Sequence, residues 1–166
     1  MIIYLKGDAT NPIGDGPRAI IHICNNSGGW GAGFVLALSK KWSQPEAQYR
    51  KWHRYRSDLE FGPFALGNIA WVQVEPNLWV VNMIAQEGYG SRGTFRHKPE
   101  GDLSIPLRYE ALRNCLAKVA LEAKHLGVTI HGPRLGSGLA GGSWPMIESF
   151  INESLSAFSV HIYDLV

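Results

Sequence analysis

The sequence predicts an α/β fold, a three-layer α/β/α sandwich around a mixed, mostly parallel central sheet. Three observations lead there. Short apolar runs bounded by Gly, Asp, Asn and Pro alternate with segments of helical periodicity, one strand pair is close enough in sequence to form a hairpin, and both glycine-rich stretches fall between a strand and a helix. Ligands in such folds bind outside the carboxyl ends of the strands, which is where both stretches lie.

Taken in order, Ile2 to Lys6 and Ala19 to Cys24 read as two buried strands. Between Gly31 and Trp42, Phe34, Val35, Leu38 and Trp42 recur at helical spacing, so a helix opens from a glycine-rich turn. Pro45 suits the first turn of a second helix that runs through Trp52 to about Arg56. Leu66 to Val74 and Leu78 to Ile84 are β-rich and separated by Glu75-Pro76-Asn77, the expected hairpin. Ala85 to about Ile105 has no convincing periodicity and reads as a long loop, which in a compact domain is usually functional or mobile. Leu112, Leu116, Val119, Ala123 and Leu126 mark one face of a long helix that Gly127 is placed to end. Val128 to His131 is a strand, Gly132 to Gly142 a second glycine-rich loop, and Ile147, Phe150, Ile151 and Leu155 define a last helix before the strand Ser159 to Leu165.

Composition sets the bounds. A chain of 166 residues with 45% hydrophobic and 18% charged residues suits one compact domain covering 1–166, with no internal repeat or linker. Its net charge of +2 is too small to advertise a nucleic-acid surface, so an anionic ligand must be held locally. The opening MIIYLKGD lacks the apolar core of a signal peptide, and no stretch approaches the roughly 20 apolar residues of a membrane span. Cys24 and Cys115 form no C-x-x-C pair. A cytoplasmic protein with no membrane partner is expected. The six histidines show no H-x-x-x-H or H-E-x-x-H spacing, so neither a metal nor a cofactor is expected.

Two loops carry the chemistry. The run from His22 to Gly33 passes from strand to helix. Its glycines let backbone approach a ligand, and the helix N-terminus presents unpaired N–H groups to phosphate. Asn25 and Asn26 add donors and acceptors suited to ribose hydroxyls. Gly132 to Trp144 repeats the arrangement, and successive N–H groups there can form an anion-binding nest. A lone glycine run is better explained by a tight turn; two in one small domain favour a ligand with several phosphate and sugar groups. Neither loop is a Walker A motif or a G-x-G-x-x-G dinucleotide fingerprint.

With these residues in view, the chain resembles the macrodomains from end to end. The likeness rests on Lys6-Gly7-Asp8, the run His22 to Gly33, the segment Arg134 to Trp144 and the terminal Ile162-Tyr163-Asp164-Leu165. It is most similar to the fungal-type ADP-ribose 1''-phosphate phosphatases, in His22, Cys24, Asn25, Trp30, Gly31 and Gly33 and in Ser137, Gly138, Gly141 and Trp144. The resemblance implies that ADP-ribose and its derivatives bind. Asp8 would lie near the adenine amino group. Asn25, Asn26, Gly29, Trp30, Gly31, Ala32 and Gly33 would hold the distal ribose, and Gly136, Ser137, Gly138, Leu139, Ala140 and Gly141 the diphosphate. Tyr163 either stacks on adenine or serves as a core aromatic.

The Lys and Asp that related macrodomains use to remove ADP-ribose from acidic side chains are replaced here by the neighbourhoods Ala85-Gln86-Glu87 and Ala140, so that mechanism is not implied. His22 is instead the expected catalytic residue. A strand-end imidazole beside the ribose loop can activate water or protonate a leaving oxygen, although a single buried histidine is ordinarily a hydrogen-bonded core residue. Arg92, Arg96, His97 and Lys98 either approach a terminal phosphate or form a solvated basic loop. The expected activity is hydrolysis of ADP-ribose 1''-phosphate. The alternatives are an ADP-ribosyl hydrolase acting on modified protein or nucleic acid, and a non-catalytic reader of ADP-ribosylated macromolecules.

Overall fold

Alternation along the second strand shows how the layers are built. The computed structural model describes residues 1–88, 105–138 and 140–166. In strand β2 (Arg18–Asn25), Ala19 and Ile21 pack under helices α3 (Tyr109–Leu126) and α4 (Trp144–Leu155), with Leu112, Leu116, Val119, Ile147 and Ile151. Ile20 and Cys24 face the opposite way, into a cluster with Leu38 of helix α1 (Phe34–Lys41) and Tyr49 and Trp52 of helix α2 (Gln44–Tyr55). Both faces are dry, as a period-two strand buried on both sides requires. Strand β6 (Leu78–Gln86) does the same, with Val81, Met83 and Ala85 on the α3/α4 side and Val80 and Ile84 on the α1/α2 side. Each of the fully buried Val, Leu, Ile and Met side chains among them contributes roughly 1.5–3 kcal/mol of transfer free energy.

The six-stranded sheet has the order β1-β8-β7-β2-β6-β5, with β1 at Ile2–Lys6, β5 at Ile69–Glu75, β7 at Thr129–Gly132 and β8 at Val160–Asp164. All neighbours are parallel except β5 and β6, which form the expected antiparallel hairpin. The mixed, mostly parallel sheet between helical layers is therefore the fold that the sequence predicts.

Two boundaries differ from expectation for local reasons. Helix α1 begins at Phe34, not Gly31, because Gly33 has φ 82° and ψ −147°, outside helical space and open essentially to glycine alone. Strand β5 begins at Ile69, after a turn in which Asn68 N–H donates to the Ala65 carbonyl at 3.1 Å. A two-residue ladder, β3 (Ser57–Asp58) with β4 (Gly62–Pro63), was not expected, being too short to leave a periodicity. Ala85 and Gln86, expected in the long loop, continue β6. The residues 89–104, including Arg92, Arg96, His97 and Lys98, lie outside the described residues. Among the described residues, no helix is long and apolar enough to cross a membrane.

The sheet order positions the site. From β7 the chain crosses by α4 to β8 on one side, while from β2 it leaves through α1 and α2 toward β5 and β6 on the other. β2 and β7 are neighbours, so the loops leaving their carboxyl ends diverge and open a crevice between them.

Candidate functional site

Both glycine-rich loops wall a single cleft of about 830 Å³. His22, Asn25, Gly29, Trp30, Gly31, Ala32 and Gly33 line it from the first loop, and Gly136, Gly138 and Ala140 from the second. Phe34, Val35 and Gln86 complete the apolar and polar floor. No Asp or Glu lines it among the described residues, while Arg50 and Arg134 do, each paired with an acid outside the lining, so no carboxylate of the described lining repels an anionic ligand.

The first loop is held by its own side chains. Asn25 Oδ1 accepts the N–H groups of Ser27 (2.9 Å) and Gly29 (3.1 Å), and its Nδ2 donates to the Gly29 carbonyl at 2.9 Å. The amide that sequence reading assigned to ribose is thus largely spent on shaping the loop. Tyr49 adds a clamp from α2: its hydroxyl donates to the Asn25 carbonyl at 2.7 Å and accepts Gly28 N–H at 3.0 Å. Trp30 Nε1–H donates to Ser39 Oγ, Ser39 donates to Glu46, and Arg50 closes the chain onto Glu46 at 2.8 Å. Sequence reading missed Tyr49; a helical face of Tyr49 and Trp52 signals a core, and nothing in the pattern says that its hydroxyl fastens a loop. Tyr49→Phe leaves Gly28 N–H and the Asn25 carbonyl without this partner, and the expected cost is about 1–3 kcal/mol in denaturant melts. Affinity for the cleft's ligand should drop at the same time.

The second loop offers backbone. Gly142 N–H donates to the Gly136 carbonyl at 2.7 Å and Gly141 N–H to the Gly138 carbonyl at 3.0 Å. The N–H groups of Gly136, Gly138 and Ala140 have no acceptor among the described residues and sit on residues that line the cleft. A Cβ at Gly142 would come within 2.3 Å of Leu107 Cδ2 and 2.8 Å of the Gly136 carbonyl, so only glycine closes this turn. Leu139 lies outside the described residues. Arg134, after β7, forms a two-pronged ion pair with Asp164 at 2.7 and 3.0 Å. Tyr4, whose hydroxyl bonds Glu148, and Trp144 pack their rings against its guanidinium.

His22 is 2% exposed at the floor of the cleft. Its Nε2 lies 2.5 Å from Asn82 Oδ1, Trp30 packs edge-on at 5.5 Å, and Nδ1 is buried without a partner among the described residues. Burial lowers its pKa to about 4, against which the Asn82 bond works only in part. At neutral pH the imidazole is uncharged.

Five other expected residues do not line the cleft. Asp8 accepts Thr10 N–H and hydroxyl, both at 2.8 Å; burial alone would raise its pKa, but these bonds and the Lys41 charge hold it below the usual value. Asn26 Oδ1 accepts Gly88 N–H at 3.0 Å. Tyr163 is 5% exposed and its hydroxyl bonds Ile13 N–H and His131 Nδ1, as a core aromatic does. Ser137 donates to the Arg134 carbonyl at 3.0 Å. Gly141 stands just beyond the lining residues of its loop. No group of three or more His, Cys, Asp or Glu side chains able to hold a metal occurs among the described residues.

The fold recurs in known proteins. A solved macrodomain protein from Streptomyces coelicolor is 44% identical, with 99% of each chain covered and a TM-score of 0.81. The chain belongs to the macrodomain family. A Bacteroides thetaiotaomicron protein of unknown function is a macrodomain neighbour at 45% identity and TM-score 0.88, covering 99% of this chain and 98% of that one. Among curated proteins, the Candida albicans ADP-ribose 1''-phosphate phosphatase is 25% identical over 159 residues, 92% of this macrodomain and 93% of the relative. Chromodomain-helicase-DNA-binding protein 1-like of Danio rerio is 29% identical over 157 residues, where the macrodomain spans 14% of the relative's length. No family model matches the chain.

Proposed function

We propose that the chain works in the cytoplasm as one ADP-ribose-binding macrodomain and hydrolyses ADP-ribose 1''-phosphate to ADP-ribose and phosphate. The observation that carries this reading is the convergence of two glycine-rich loops on one cleft that no acid lines among the described residues, with His22 at its floor. The diphosphate lies against the N–H groups of Gly136, Gly138 and Ala140, and the distal ribose against Gly29 to Gly33. Asn25 and Asn26 shape the first loop beside it, while Ser137 and Gly141 hold the second. Asp8 belongs to the adenine end, and Tyr163 supports that end as a core aromatic.

Hydrolysis adds water across the phosphate ester: the phosphate leaves with one oxygen more, and the ribose oxygen regains a proton. A neutral His22 acts as the proton acceptor in that step; an acid role would need an imidazolium, which burial disfavours. The Candida albicans relative, with that activity in its name and aligned over nearly its full length, supports this choice.

The same burial favours a second reading, a reader of ADP-ribosylated macromolecules, because Nδ1 is itself covered. Product analysis with ADP-ribose 1''-phosphate and an ADP-ribosylated protein side by side tests the assignment. Phosphate release from the first alone is expected. Release of ADP-ribose from the protein, or turnover of neither, would overturn it. Turnover should also survive EDTA; loss on chelation with recovery on Mg²⁺ or Zn²⁺ would contradict a metal-independent hydrolase.

A further inference from the structure

We infer that Asn82 is the positioning residue for His22: it fixes the neutral ring as the Nε2–H tautomer and leaves Nδ1 as the ring's acceptor, covered beneath the cleft floor. This inference rests on the reading of His22 above, and it adds the chemistry that the imidazole can offer a ligand.

The argument starts from strand register. His22 on β2 and Asn82 on β6 are direct partners across the parallel pair, and both point to the α1/α2 side, where Ile20, Cys24, Val80 and Ile84 also lie. Asn82 is fully buried. Its Nδ2 sits 3.0 Å from the Pro45 carbonyl and 2.9 Å from Gln48 Oε1. A carbonyl oxygen only accepts, so the Asn82 atom facing Pro45 must be the nitrogen and the atom facing His22 must be the oxygen. An amide oxygen likewise only accepts. The His22 nitrogen 2.5 Å from it must therefore carry the proton.

A neutral imidazole has one N–H, so Nδ1 carries the lone pair. It has no partner among the described residues. A buried acceptor left unmet costs stability, and an O–H recovers it once the groups that cover Nδ1 move aside on ligand binding. An anionic phosphate oxygen brings no proton and gains nothing from Nδ1. The chemistry selected at this point is a hydroxyl donor, either a ribose hydroxyl or the attacking water.

The groups facing the ring keep the lock simple. Trp30 comes from the first loop, Phe34 from α1, Asn82 from β6, and the Cys24 thiol lies 3.8 Å from Nε2 on the ring's own strand. Burial pushes the Cys24 thiol up, so it stays protonated. No carboxylate or cation contacts the ring among the described residues.

Nitrogen-15 NMR of histidine-labelled protein reads the tautomer directly. In the wild type, the His22 resonances should show a bare Nδ1 and a protonated Nε2 from pH 7 down to about 5. Asn82→Asp replaces the neutral acceptor by a carboxylate and should raise the His22 titration midpoint by about 2 units. The acid limb of turnover should follow it, a response that loss of packing alone does not produce. ADP-ribose should move the wild-type Nδ1 resonance. An Nδ1–H tautomer in the wild type overturns the inference even if Asn82→Asp fails to fold. So does a midpoint unchanged in a folded Asn82→Asp protein. Calorimetry separates the two claims: no ADP-ribose binding by a wild type with the expected tautomer removes the proposed function and leaves the positioning role standing.

Discussion

His22→Ala should lower turnover of ADP-ribose 1''-phosphate by about a hundredfold or more, the usual scale of a general acid–base group, while affinity for ADP-ribose changes far less. Melting temperature will not separate catalyst from core residue. The substitution opens a cavity beside Trp30 and strips Asn82 Oδ1 of its donor, so stability should fall under either role. The ratio of turnover to affinity is what decides. His22 accepts a proton only when neutral, so wild-type turnover should hold on lowering the pH from 7 and fall as it approaches about 4. A mutant that binds normally and releases phosphate at the wild-type rate removes His22 from the mechanism.

Gly33→Glu should abolish ADP-ribose binding. Two effects act together. A carboxylate enters a cleft with no other acid among its described lining residues, at the N-terminus of α1 where a phosphate would be favoured. A side chain is also forced onto a backbone with φ 82°, at a cost of about 1–3 kcal/mol. Ala32→Glu separates them, since Ala32 is exposed, lines the same cleft and already carries a Cβ. It should lose at least tenfold in affinity, by calorimetry, with the melting temperature unchanged. Undiminished affinity in both folded variants would place the ligand elsewhere.

The layers were legible because burial on two faces writes itself as apolar runs, and helices α1 to α4 as stripes. β3 and β4 were not, since two residues per strand carry no period. The cleft was legible for the same kind of reason: glycine runs after β2 and β7 mark backbone exposed to a ligand. What sequence could not show is how side chains divide between ligand and scaffold. Asn25, expected at the ribose and lining the cleft, also closes its own loop, and Tyr163 ties the segment at Ile13 to His131. Asn82 and Tyr49 act across the sheet and between layers, from 60 and 24 residues away, through bonds that no local pattern encodes.

The most direct test of the central claim is calorimetric titration of the wild-type protein with ADP-ribose. Saturable one-to-one binding, weakened by Ala32→Glu, is the predicted result. Absence of heat and saturation at millimolar ADP-ribose would contradict it.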